Sequence, residues 1–235
     1  MHRPTRRTRL VSALLAVLAL PAVMGPGRCG FALDYTETYL ITAPIDRVVL
    51  NADDGTVVST SYEREALLLK RHVFAFEPSL EAADHTVEDR QLLLEAHCKY
   101  EGNCSFDHMF ELPLGIAFSV TMLDSQISLG HIDSDVEVDF TSGWFKGVRL
   151  ASPHFTLTLT EGDVTVDFAA APETVAIDVG EGSVKIEVPA GEYRCVLASE
   201  RGEVTSPGIT CDDAAASVLD IQVQTGDITV TGVAP

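Results

Sequence analysis

Gly162-Asp163-Val164-Thr165-Val166, Gly182-Ser183-Val184-Lys185-Ile186, Gly202-Glu203-Val204-Thr205 and Gly226-Asp227-Ile228-Thr229-Val230 repeat one pattern: glycine, a polar residue, then a β-branched residue. Their glycines lie 20, 20 and 24 residues apart. Each copy follows a second alternating run: Phe155-Leu157-Leu159, Val175-Ile177-Val179, Tyr193-Cys195-Leu197 and Leu219-Ile221-Val223. Strict alternation places one side of a strand in a core and the other in water. Glycine in the intervening turn permits positive φ.

Two architectures answer to this pattern. Units of about 20 residues, each with two short strands, can stack as solenoid coils whose apolar faces cover one another. The same turns can also close the hairpins of an antiparallel β-sandwich. The fixed period favours an all-β, β-solenoid or β-roll-like stack. In that reading Val175, Ile177 and Val179 face the core, and Ala176 and Asp178 face water. The triplets Phe155-Leu157-Leu159 and Tyr193-Cys195-Leu197 are expected directly above and below them.

Weaker copies occur upstream. Gln126-Ile127-Ser128-Leu129 follows Asp124-Ser125, and Val136, Val138 and Phe140 alternate with Asp135, Glu137 and Asp139. Val48-Val49-Leu50 passes through Asn51-Ala52-Asp53-Asp54 into Gly55-Thr56-Val57-Val58. Between residues 61 and 110 the pattern loosens. Phe74 and Phe76 alternate, Gln91 to Leu94 reads as a buried strand, Glu63 to Lys70 as strand, and Ser79-Leu80-Glu81-Ala82-Ala83 as one helical turn capped by Ser79.

The chain resembles, over about Ile45 to Val230, the bacterial putative-adhesin domain, a family of unknown function in exported proteins. Val49-Leu50-Asn51-Ala52-Asp53-Asp54-Gly55-Thr56-Val57 is similar to that domain's start. Phe110-Glu111-Leu112-Pro113-Leu114-Gly115 resembles the entry to its repeats, and the glycine-polar-valine units are similar as well. The resemblance implies a β-solenoid-like fold and transfers no catalytic residue. Its cysteines depart from the family pattern, as does the last coil, where Arg201-Gly202-Glu203 leads into Pro207-Gly208.

The amino-terminal segment reads as an export signal. Arg3, Arg6, Arg7 and Arg9 precede an apolar run from Leu10 to Met24, broken only by Ser12 and Pro21. That run is short of the roughly 20 residues a membrane helix needs. Gly30-Phe31-Ala32 supplies the small residues required for cleavage, so residues 1–32 are expected to be a signal peptide and the mature chain to begin at Leu33. Arg9 spoils a twin-arginine reading of Arg6-Arg7, and Arg28 spoils a lipid-anchor reading of Cys29. Residues 33–235 are expected to form one β-repeat domain, less regular over 33–110 and regular over 111–235.

Composition then bounds the partners. Residues 1–32 hold 5 of the 16 Lys+Arg and none of the 35 Asp+Glu, leaving 11 cations against 35 acids, a net −24. Such a chain repels phosphate backbones and anionic lipid, which excludes nucleic acid and direct membrane insertion of the mature chain. The expected location is the periplasm, the cell surface or the extracellular space, with an envelope protein or glycan as partner. Cleavage leaves Cys98, Cys104, Cys195 and Cys211, and an even count in an oxidising compartment reads as disulfides. Proximity along the chain favours Cys98–Cys104 and Cys195–Cys211 among three connectivities.

No catalytic or cofactor site stands out. His97, Cys98, Cys104 and His108 match no common zinc spacing. Asp133, Asp135, Glu137 and Asp139 share the wet face of one strand, and turn acids such as Glu161 and Asp163 are at best weak calcium ligands. The nucleophile elbow, the phosphate-cradling loop and the dinucleotide fingerprint are missing. Outward Thr156, Thr158, Thr165, Thr229 and Thr231 are interrupted by Ala176, Asp178, Lys185 and Glu187, so β-propensity accounts for them rather than ice binding. Trp144-Phe145 puts adjacent aromatics on opposite faces of a strand, making this pair the candidate exposed contact. The expected function is a non-catalytic exported structural or adhesion-type module. An envelope regulatory or interaction domain comes second and a carbohydrate-active enzyme third.

Overall fold

The computed structural model describes residues 32–76, 79–100 and 103–234. The expected signal peptide, residues 1–32, lies outside them apart from Ala32, which opens the first strand. No helix occurs among the described residues. The strands are β1 (Ala32–Ile41), β2 (Arg47–Ala52), β3 (Asp54–Tyr62), β4 (Leu67–Phe76), β5 (Leu80–Glu88), β6 (Gln91–Cys98), β7 (Cys104–Pro113), β8 (Ala117–Gly130) and β9 (Val136–Leu150). There follow β10 (His154–Phe168), β11 (Thr174–Glu181), β12 (Val184–Pro189), β13 (Glu192–Arg201), β14 (Val204–Thr205), β15 (Thr210–Cys211), β16 (Val218–Thr225) and β17 (Ile228–Val233).

These strands stack as coils in two parallel ladders. The first ladder runs β6–β2–β8–β9–β10–β11–β16–β13, and the second runs β7–β3–β8–β9–β10–β12–β17–β14. Strands β8, β9 and β10 pass through both ladders, bending at a corner. Antiparallel pairing is confined to one end, where β4 and then β1 extend the second ladder and β5 extends the first. The sandwich alternative is therefore not the architecture: the repeats pair parallel, coil on coil, at offsets near 20 residues from β8 to β12 and at longer offsets toward the two ends.

Alternation builds the core. Leu50, Val120, Val138, Leu157, Ile177 and Ile221 stack in register in the first ladder, and all are buried. Facing them, Phe145, Val164, Val184 and Ile228 stack in the second. Phe155 on the first ladder lies 5.4 Å from Phe145 and 5.8 Å from Phe168 on the second, ring centre to ring centre. The two inner faces thus meet, and the two outer faces point away from each other.

The corner explains the glycine-polar signature. Gly143, Gly162 and Gly182 have φ of 124°, 145° and 145° and lie one above another. A Cβ on Gly162 would sit 1.8 Å from the Gly143 carbonyl oxygen, and one on Gly182 1.7 Å from that of Gly162. The column therefore needs glycine for close approach of backbones as well as for φ. The polar residue after it bonds the next coil: Asp163 Oδ1 accepts from Ser183 N at 2.9 Å, and Asp227 Oδ1 from Glu203 N at 2.8 Å.

Three expectations are corrected. Coil order along the stack is not chain order: β16–β17 lies between β11–β12 and β13–β14, so Leu219-Ile221-Val223, not Tyr193-Cys195-Leu197, covers Val175-Ile177-Val179. The coil containing β14 has only two residues in its second strand, whereas β16–β17 offers a full pairing edge on both sides. The same inversion occurs at the other end, where β2–β3 lies inside β6–β7. Second, Ser79 to Ala83 forms no helical turn; Leu80 begins β5, because pairing with β6 satisfies its backbone better than an isolated turn would. Third, the strand expected over Glu63 to Lys70 begins at Leu67, and its inward residues are Leu67, Leu69, Arg71, Val73 and Ala75. Phe74 and Phe76 point outward, 36% and 45% exposed.

Candidate functional site

Strand β9 carries the aromatic pair singled out by sequence and separates its members. Phe145 is 1% exposed and belongs to the core, so it drops out as a contact residue. Trp144 is 40% exposed on the outer face of the second ladder. Its register neighbours are Gln126 on β8 and Asp163 on β10, with Lys146 two residues along its own strand. Further toward the β4 end the same face exposes Val58 and Met109, paired on β3 and β7. Next to them His72 Nε2 lies 2.9 Å from Asp34 and its Nδ1 lies 3.5 Å from Asp107. The hydrogen bond to Asp34, aided by Asp107, raises the His72 pKa against the opposing effect of burial.

The four cysteines occupy the two ends of the stack. Cys98–Cys104 joins β6 to β7, with Cα atoms 5.9 Å apart. Cys195–Cys211 joins β13 to the short β15, with Cα atoms 5.4 Å apart. His97 turns its Nδ1 to Asp53 at 3.1 Å, and Asp53 also accepts from Cys98 N at 2.6 Å. His108 points into the core from the other ladder. The four residues weighed for zinc are therefore not brought to a common centre. Among the described residues no three His, Cys, Asp or Glu side chains converge as metal ligands.

A polar row inside the β4 end is the feature that sequence reasoning missed. The inner row that reads Val57, Ile127, Phe145, Val164 in the regular coils continues outward as His108, Arg71 and Glu37. Arg71 is 2% exposed, and its Nη2 donates to Glu37 Oε2 at 2.6 Å. Its Nη1 has no hydrogen-bond partner, and the His108 ring nitrogens meet no side-chain partner, with the Phe106 backbone alongside. Burial, reinforced by the Arg71 charge, lowers the His108 pKa to about 4, so this imidazole is neutral. Tyr39 and His85 close the row from β1 and β5, their ring centres 4.2 Å apart. Burial, then Arg71, lowers the His85 pKa; burial, then the hydrogen bond its hydroxyl donates to Glu37, raises that of Tyr39. The signal for this row was present: alternation along β4 places Arg71 in phase with Leu69 and Val73.

Two parallel ladders with polar outer faces, glycine corners and disulfides at both ends define a stacked-coil β protein. No family model matches the chain, and no curated protein matches it. Among solved structures it is similar to a putative cell adhesion protein from Clostridium sporogenes, at 16% identity and a TM-score of 0.45, over 86% of this chain and 100% of that one. It is also similar to a putative adhesin from Bacteroides fragilis, at 9% identity and a TM-score of 0.43, over 85% and 97%. A third is a putative lipid binding protein from Parabacteroides distasonis, at 10% identity and a TM-score of 0.29, over 84% and 96%.

Proposed function

We propose that this chain is an exported, non-catalytic adhesion-type module that offers the outer face of its second ladder to an envelope protein or glycan. The observation that carries the reading is Trp144, a large apolar ring held outside a fully formed core on a face made rigid by in-register coils. Trp is a costly residue to leave in water and is enriched at binding hot spots. Val58 and Met109 extend the apolar part of that face, and Gln126, Asp163 and Lys146 rim it with hydrogen-bonding groups. The two disulfides suit an oxidising compartment.

Immobilised exported chain incubated with an envelope fraction tests this. Retention of a protein or glycan should fall at least about tenfold for Trp144→Ala, the scale of a hot-spot truncation. Its urea midpoint should stay near that of the parent, because the ring is outside the core. Undiminished retention by Trp144→Ala would refute the reading.

A further inference from the structure

Where the second-ladder strands end, away from the glycine corner, a groove of about 470 Å³ crosses several of them. Leu114 follows β7, Ser61 and Tyr62 end β3, His131 follows β8, and Arg149 nears the end of β9. These four strands are consecutive in the ladder, so the residues sit side by side on strands about 4.8 Å apart.

The backbone turns two of these side chains outward. His131 and Arg149 have φ of 55° and 50°, values that residues other than glycine seldom adopt. Strict alternation would send both inward, in phase with Leu129 and with Gly147. Instead both are exposed, and the residues after them, Ile132 and Leu150, fill the core. At Arg149 the ladder bulges: Val148 and Arg149 together face Asp167 of β10, between the pairs Gly147–Val166 and Leu150–Phe168. A bulge re-aims a side chain, and glycine would hold this φ with less strain. The stack itself does not demand the device. The next coil brings Phe168 into the core directly after Asp167, with positive φ at neither residue.

The polar side chains that line the groove are uncommitted. Ser61 is 5% exposed, and its Oγ has no hydrogen-bond partner. Tyr62, Glu63, His131 and Arg149 make no side-chain hydrogen bond or ion pair among the described residues. Just outside the groove the polar groups are paired: Arg64 bonds Glu111, and Asp133 Oδ1 accepts from Gly115 N at 2.8 Å. Tyr62 and Leu114 add exposed apolar surface to the lining.

We propose that this groove binds a neutral sugar unit of a glycan. The Tyr62 ring and Leu114 take the apolar face of a pyranose. Arg149 offers its planar fork of donors to neighbouring hydroxyls, and Glu63 offers two acceptor oxygens. Ser61 and His131 each supply both donor and acceptor capacity. Charge restricts the occupant further. Arg149 disfavours a cation, and a chain that is net −24 without residues 1–32 disfavours an anion, which leaves an uncharged polyhydroxyl ligand. The volume lies within the range of small-molecule sites, about 300–1,000 Å³. The site goes beyond the proposed contact at Trp144, which precedes Arg149 on β9 by about 16 Å of strand.

An array of neutral and acidic glycans tests this, probed with the exported, disulfide-bonded chain clustered on a multivalent carrier so that weak contacts add. Neutral glycans should be bound, and binding should fall at least about tenfold for Tyr62→Ala and for Arg149→Gly. Arg149→Gly should not lower the urea midpoint, because glycine accepts a φ of 50° without strain. Lost binding at undiminished stability separates a ligand contact from a structural role. Trp144→Ala should bind neutral glycans as the parent does. Four outcomes would each overturn the inference: no neutral glycan bound, binding confined to acidic glycans, undiminished binding by either groove variant, or a lowered midpoint for Arg149→Gly. Loss of neutral-glycan binding in Trp144→Ala would also overturn it, by placing the glycan on the other site. If the array stays blank while an envelope component is retained through Trp144, this inference fails and the proposed function survives.

Discussion

The middle of the stack and its β4 end are built on one inner row of side chains but fill it by opposite chemistry. From Val57 to Ile228 that row is aliphatic or aromatic and buried, and each residue is covered by an apolar neighbour from the adjoining coil. Beyond Val57 it turns into His108, Arg71 and Glu37, with a guanidinium nitrogen of Arg71 that lacks a partner. A repeated coil protects its apolar face only while another coil follows. At the end of the stack an apolar row would meet water, and a row that grades into charge does not have to. The difference shows that capping here is a matter of side-chain polarity as well as of extra strands.

This contrast can be broken at several points. The largest effect is expected at the corner of the middle coils. Gly162→Ala drives a Cβ into the Gly143 carbonyl and forces an unfavourable φ. It should cost about 4 kcal/mol or more, a loss reserved for strain of this kind. A urea midpoint close to that of the parent would mean the coils are not stacked through their glycines.

Ile177→Ala should cost about 2–5 kcal/mol, because emptying a packed core position loses transfer energy and leaves a cavity. Its partner in the comparison, the double variant Arg71→Met/Glu37→Leu, should change stability little or raise it, since replacing a buried ion pair with apolar side chains removes a desolvation cost without leaving a lone charge. Chemical denaturation of the two variants side by side makes the comparison; equal losses would mean that the Arg71–Glu37 pair is as integral as the aliphatic core.

The β4 end should also be the pH-sensitive one. His108 has a folded pKa of about 4 against 6.5 for the free group, so between these values the unfolded chain binds the proton more readily. Stability contributed by the neutral imidazole is intact above about pH 6.5 and falls as pH drops toward 4, by about 3 kcal/mol in all. His108→Leu should flatten that part of the pH dependence while leaving the slope below it, due to carboxylates, in place. An unchanged slope between pH 6.5 and 4 would show that another group governs it. The smallest effect belongs to Asp178→Asn on the outer face, which should stay within about 0.5 kcal/mol.

Strand alternation, the glycine corners and which residues face inward were determined by the sequence itself. Those features arise within one coil, from the two-residue period of a strand and the backbone freedom of glycine, and need no knowledge of neighbours. The same alternation along β4 already placed Arg71 in the core phase, although Phe74 and Phe76 draw the eye to the opposite face. What only the tertiary structure decided is which coil lies on which. Every coil presents much the same aliphatic inner edge, so Val175-Ile177-Val179 accepts Leu219-Ile221-Val223 as readily as Tyr193-Cys195-Leu197. The choice falls to the longer pairing edges of β16 and β17 over the two-residue β14. Interchangeable repeats carry the local rule many times over but do not carry their own order, because order is set by contacts between segments far apart in the chain.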